Sequence, residues 1–408
     1  MSCARLQAFD PPSVDGRAEL WYTVSMNEYD KSKFKIDDLY DIISRELEEQ
    51  KREREKFGDP WEADSEIDEA FDPFDGLRPN EEYVLAEYAG SDESVVVPDG
   101  VTVIKASAFK GNVDIVKVVM PDSVRKLEAY AFAGCTGLRS VRLGSYIKSI
   151  DFDTFAKCAS LKTVELPERL SDVNIRAFAE SGIENIFIPA SVSFISGDAF
   201  SGCDNISIEV SEQSPHYYSR DNCIYDKRNK WLVGGYNDGN MPDDGSFTTI
   251  AADAFAGNPR LVDVAVPLGV TDIHDGAFEH CRNLVRIKLP DELKSLGACA
   301  FSHCHALESI TIPGSVKKLE RFAFDECGIE RAVLKRGVEE VDEYAFRKCV
   351  KLKEVYIPRT AEHIEYNAFD DCPVGMKIFF EADTIAPELR ENLNDFEAIA
   401  GHKSKIFD

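Results

Sequence analysis

The sequence predicts an α/β solenoid, and three features point to it: a phenylalanine recurring at a fixed interval, a short period-two apolar run in each interval, and a proline closing most of those runs. The phenylalanines are Phe109, Phe132, Phe178, Phe200, Phe255, Phe278, Phe301, Phe324, Phe346 and Phe369, each preceded by alanine, with Thr154-Phe155 as an eleventh copy. The interval is 22 or 23 residues. It is broken only between Phe200 and Phe255, where 55 residues make one period plus an insertion of about 32.

Within a period the apolar positions are constant. After Phe301 they are Leu307, Ile310, Ile312, Val316 and Leu319; after Phe132 they are Leu138, Val141, Leu143, Ile147 and Ile150; Leu352, Val355, Ile357 and Ile364 follow Phe346. Alternation such as Ile310 and Ile312 marks a strand with one buried face. Pro121, Pro167, Pro189, Pro267, Pro290, Pro313 and Pro358 end such runs, where a missing N–H does least harm. A period of 20 to 29 residues with fixed apolar positions is the mark of a leucine-rich-repeat solenoid. No coil can bury its apolar side alone, so the coils must stack as a parallel sheet with the phenylalanines in a column behind it. Strands about 4.8 Å apart give eleven coils a length of roughly 50 Å.

The cysteines follow the same period. Cys135, Cys158, Cys203, Cys281, Cys304, Cys327, Cys349 and Cys372 each lie three residues after a column phenylalanine, and Asn112, Ser181 and Asn258 take that place in the remaining coils. The exchange predicts a small side chain tucked into the turn, with a polar group for nearby backbone. Structural reduced thiols, rather than disulfides or redox centres, are expected, and they favour a reducing compartment.

The stretch Ala131-Phe132-Ala133-Gly134-Cys135-Thr136-Gly137-Leu138 and the strand Ser309 to Pro313 resemble the BspA-type leucine-rich-repeat family over about residues 83 to 405. Tyr83 to Ala89 and Ser94 to Pro98 resemble its opening strands. Asn222 to Asp226 with Lys230 to Gly235 resembles its hairpin insertion, placed within 211–245. Lys377 to Glu381 followed by a helix from Ala386 to Ala400 resembles its closing cap, 376–408. The resemblance implies a right-handed superhelix with the parallel sheet on a concave face, used to bind proteins, often at bacterial surfaces.

The residues flanking the central apolar one of each strand are expected on the open face of that sheet. The anchors expected there are Lys117, Arg142, Glu165, Phe187, Arg286, Lys288, Arg331, Glu354, Tyr356, Lys377 and Phe379, because aromatic and arginine side chains dominate protein interfaces.

The chain of 408 residues carries 47 Lys and Arg against 74 Asp and Glu, a net charge of -27. Such a field repels nucleic acid and anionic lipid. Residues 1–93 hold 26 acidic and 11 basic groups, leaving about -12 for the rest. No run of eighteen apolar residues and no secretory h-region is present, so neither membrane insertion nor export is expected, and a cytoplasmic monomer fits best. A cell-surface or secreted protein is the alternative, and Met26 could serve as the start.

Residues 1–82 are expected to form an acidic region with one helix over 36–57, Ile36, Leu39, Tyr40, Ile43 and Leu47 sharing a face, and a disordered linker over 59–75. Chemistry is not expected. Glu279-His280-Cys281 and Ser302-His303-Cys304-His305 match no zinc spacing and read as solvated turn histidines. Gly234 to Gly239 lacks the lysine of a phosphate loop, and no nucleophile motif stands out, so no enzyme, cofactor or metal is expected.

Overall fold

The computed structural model describes residues 34–38, 83–382, 393 and 396–400. The chain winds as a β-solenoid of about 13 turns with two parallel ladders. The first ladder takes the middle of each period: Ser94–Val96, Lys117–Val119 and Ser140–Arg142 pair in register, as do Asn185–Ile188 with Ser207–Val210 and Asp263–Ala265 with Arg286–Lys288. Ser309–Ile312, Arg331–Leu334, Glu354–Ile357, Lys377–Phe380 and Glu397–Ile399 then form a continuous five-stranded run. The second ladder is made of two-residue strands such as Asp272–Ile273 and Ser295–Leu296, which is all the length the return segment of a 22-residue coil leaves.

Two expectations need correction. Among the described residues there is no helix, so the α/β class gives way to an all-β coil in which turns replace the helices of longer repeats. The eleven periods are also too few, because Ser94–Val96 and Glu397–Ile399 stack as further turns at either end. Both terminal helices fail where they can be seen. Phe34–Asp38 is a strand antiparallel to Tyr83–Tyr88, which removes the start of the 36–57 helix; the remainder of that helix, and the 59–75 linker, lie outside the described residues. Glu397–Ile399 pairs with Lys377–Phe380, replacing the end of the helix expected over Ala386 to Ala400, whose earlier part also lies outside the description. In both places a sheet edge offers unpaired N–H and C=O groups, and its ladder outweighs a weak local preference.

The column is built as the period requires. Phe109, Phe132, Phe155, Phe178 and Phe200 stack with centroids 4.7–5.4 Å apart and planes within 10°. Phe255 through Phe369 repeat the arrangement at 5.1–5.4 Å. Tyr88 covers one end at 5.2 Å and Phe396 the other, edge-on, at 6.0 Å. Backbone bonds run beside the rings, Phe301 N donating to Ala323 O at 2.9 Å and Phe324 N to Ala345 O at 2.8 Å.

Each slot cysteine joins one coil to the one before it. Its Sγ donates to the carbonyl of the preceding column phenylalanine at 2.9–3.2 Å, as in Cys135 to Phe109, Cys281 to Phe255 and Cys327 to Phe301. That carbonyl already accepts a turn N–H, so the thiol satisfies its second lone pair inside the core. Asn258 fills the slot by donating to Gly235 O and Asn237 O at 3.0 and 2.9 Å, and Asn112 by donating to Gly90 O at 2.9 Å. The strand-closing prolines are equally uniform. The carbonyls of Pro121, Pro167, Pro189, Pro267, Pro290, Pro313 and Pro358 each accept the N–H three residues on, at 3.0–3.2 Å, closing a turn.

The insertion interrupts this order. Tyr217–Arg220, Cys223–Asp226 and Trp231–Gly235 pair antiparallel, and the last then joins Thr249–Ile250 in parallel, restarting the second ladder. Asn222 stands in for a strand: Oδ1 accepts from Ile208 N at 2.9 Å and Nδ2 donates to Ile206 O at 2.8 Å. Tyr236 meets Phe200 edge-on at 5.8 Å, and Gly235 lies against Phe255, where a Cβ would sit 2.0 Å from the ring. Most of the buried apolar residues accordingly fall into two large clusters that meet at the insertion.

Two outcomes follow from the stack. Phe324→Ala removes a fully buried ring held between Phe301 and Phe346 and should cost about 3–5 kcal/mol in chemical denaturation. Burial pushes the Cys135 thiol up to about 11 and that of Cys372 up to about 12, and it raises Cys281 and Cys327 as well. At pH 8 Cys135, Cys158, Cys203, Cys281, Cys327, Cys349 and Cys372, all raised by burial, should therefore stay unlabelled by a thiol reagent in the native chain and react only after unfolding.

Candidate functional site

The flanking residues of the first ladder do lie on one side of it, as strand alternation requires. In Ser140–Arg142 and Ser207–Val210 the outer residues are exposed while Val141 and Ile208 are buried. Lys117, Arg142, Glu165, Phe187, Arg286, Lys288, Arg331 and Lys377 are exposed, whereas Glu354 and Phe379 are half-buried.

Tyr356 is not the open anchor its position suggested: only 7% of it is accessible. It packs with Val333 and Phe379 in an apolar cluster on the face, its ring 4.9 Å from that of Phe379. The Arg331 guanidinium lies 4.7 Å over the Tyr356 ring, and Tyr356 donates its hydroxyl to Glu354 Oε2 at 3.0 Å. Burial, then the Glu354 bond, raises the pKa of that hydroxyl. Arg331 Nε stands 3.8 Å from the same carboxylate, which closes a triad over three neighbouring strand positions.

Register explains a pair that the anchor set omitted. Asp263 lies opposite Arg286 in the parallel ladder and accepts from its Nε and Nη2 at 3.0 and 2.7 Å. Counting back one period of 23 residues from Arg286 finds Asp263, so this partner was available from the spacing. Lys117, Arg142 and Lys288 make no ion pair among the described residues.

The anchors fall on two stretches of the ladder. Thr163 touches the ladder only through an isolated bridge to Asn185, so Glu165 stands outside any strand and Arg142 has no ladder neighbour on that side. The insertion then separates Lys117, Arg142, Glu165 and Phe187 from the seven anchors between Arg286 and Phe379. Across the flanking positions, the six cations Lys117, Arg142, Arg286, Lys288, Arg331 and Lys377 outnumber the five carboxylates Glu165, Glu209, Asp263, Glu354 and Glu397, reversing the balance of a chain at -27.

A stacked coil with this column and this slot defines a leucine-rich-repeat protein. The family profile described as BspA type Leucine rich repeat region matches in six copies over residues 84–207 and 248–375, and the chain belongs to that family. The gap in the match is the insertion. A leucine-rich repeat protein from Eubacterium ventriosum has the same fold at 21% identity and a TM-score of 0.60, over 71% of this chain and 88% of that one. The pneumococcal vaccine antigen PcpA is similar at 17% identity and a TM-score of 0.58, over 79% and 94%. Among curated proteins none matches the chain. No enzyme family is indicated, and no helix among the described residues is long and apolar enough to cross a membrane.

The closed triad separates packing from binding. Tyr356→Ala should lower stability by about 3–5 kcal/mol, as loss of a buried aromatic does, while Lys117→Ala should change it by under about 0.5 kcal/mol. Denaturation midpoints of the two variants check this.

Proposed function

We propose that the chain is a non-enzymatic binding module that engages a protein partner through the open face of its first ladder. The observation that carries this reading is the charge reversal: six cations against five carboxylates along the first ladder of a strongly acidic chain. These cations stand where a rigid backbone holds them, and Lys117, Arg142 and Lys288 make no ion pair within 4 Å among the described residues. Such groups steer an encounter and fix its register more than they add affinity. Exposed Phe187 and half-buried Phe379 add apolar contact of the kind found at interface centres. The family's fold, typically used for protein binding, agrees with it.

Reduced thiols spaced through the core support a reducing compartment, the cytoplasm, as the place of action. Recovery of the native chain from washed cell surfaces or from the medium would instead mark it as an adhesin or a host-directed effector.

The test is quantitative affinity capture from a lysate of the source cells with the wild type and with Lys117→Glu/Arg142→Glu/Lys288→Glu. The expected result is a partner held by the wild type, released as salt rises, and lost from the variant. An unchanged partner set in unchanged amount would remove this face from consideration.

A further inference from the structure

The turn that carries the column phenylalanine has a second column. Two residues after each phenylalanine the backbone is left-handed in all eleven coils, from Gly111 at φ 72° through His280 at 57° and His303 at 61° to Asp371 at 57°. Glycine suits that conformation, and Gly111, Gly134, Gly202 and Gly257 occupy it; a longer side chain there carries strain. His280 and His303 do so in adjacent coils, and their rings lie face to face with centroids 4.4 Å apart and planes within 2°. Glu326 follows in the next coil, with Oε2 3.2 Å from His303 Nδ1, and Lys348 holds the other oxygen of Glu326 at 2.8 Å.

Glu279 supplies a third group. Its Oε1 is 3.9 Å from His280 Nε2, and single donor atoms of Glu279, His280 and His303 all lie within 4.8 Å of one another. Beside them Gly276 leaves room that other residues would fill: a Cβ there would stand 2.2 Å from Asp253 Oδ1 and 3.5 Å from Glu279 Oε2. Two carboxylates therefore converge over one glycine, and among the described residues neither has a lysine or arginine partner.

We propose that Glu279, His280 and His303 form a binding site for one divalent transition ion of the zinc or nickel class, with Glu326 as the carboxylate that orients His303. Two imidazoles and a carboxylate are the donor set such ions take, leaving a position for water. An ion about 2.0–2.2 Å from each donor requires donors roughly 3–3.5 Å apart, so the His280 and His303 rings must turn out of their parallel stack to aim their in-plane lone pairs at one ion. Glu326 on Nδ1 selects the His303 tautomer whose Nε2 is the ligand, the arrangement by which second-neighbour carboxylates support metal-bound histidines. The histidine spacing matches no zinc motif because its donors come from separate coils and are united by stacking, not by sequence proximity.

The experiment uses the untagged full chain, stripped with chelator, and titrates Zn2+ by calorimetry and Co2+ by visible absorption. One ion per chain in the micromolar range is expected, with a rise in melting temperature and d–d bands from the cobalt form. His280→Gly/His303→Gly keeps the backbone, since glycine stands at this position in four other coils, and should weaken binding at least tenfold while melting as a folded protein without metal. Glu326→Gln should weaken it less and shift the cobalt spectrum. No binding by the wild type, or equal binding by the double glycine variant, would overturn the site.

Discussion

A coil of 22 or 23 residues has one column phenylalanine, and that ring finds its aromatic partners only in the coils on either side. Stability therefore comes from the contact between neighbours, which the phenylalanine column and the slot make in different ways. The rings supply apolar burial that tolerates small changes of spacing. The thiol-to-carbonyl bond is directional, and it fixes how far one coil can rotate against the next. Together they explain why turns can replace helices: each period fills its core with one ring and the aliphatic side chains of its two short ladders.

Much of this was legible in the sequence because a repeat multiplies each signal. Ten Ala-Phe pairs and eight slot cysteines identify the column and the turn even though any one copy would be ambiguous. What failed lies at the ends, where repetition stops. Ile36 to Asp38 and Glu397 to Ile399 read as helical from local spacing, and both are strands because a sheet edge elsewhere in the chain accepts them. A backbone partner leaves no mark on the segment it captures.

The open face was legible as a set of positions but not as a surface. Alternation places Tyr356 and Arg331 on the correct side, yet it says nothing of neighbours on the same side, and those neighbours decide that Tyr356 is covered while Phe187 is open. Asp263 with Arg286 shows the same point in a readable form, since the fixed period gives the cross-strand partner by subtraction. The paired histidines read as solvated turn residues in the sequence, and the same period that sets them 23 residues apart stacks their rings.

The insertion between Ser207–Val210 and Thr249–Ile250 has a mechanical consequence. In a stack whose stability is a sum of neighbour contacts, cooperative unfolding spreads as far as those contacts are uniform. Here the ring column is broken by an edge-on Tyr236 and a glycine, and the core divides at the same place. Pulled from its ends, such a chain behaves as two springs in series joined at a seam, each able to yield while the other keeps its shape.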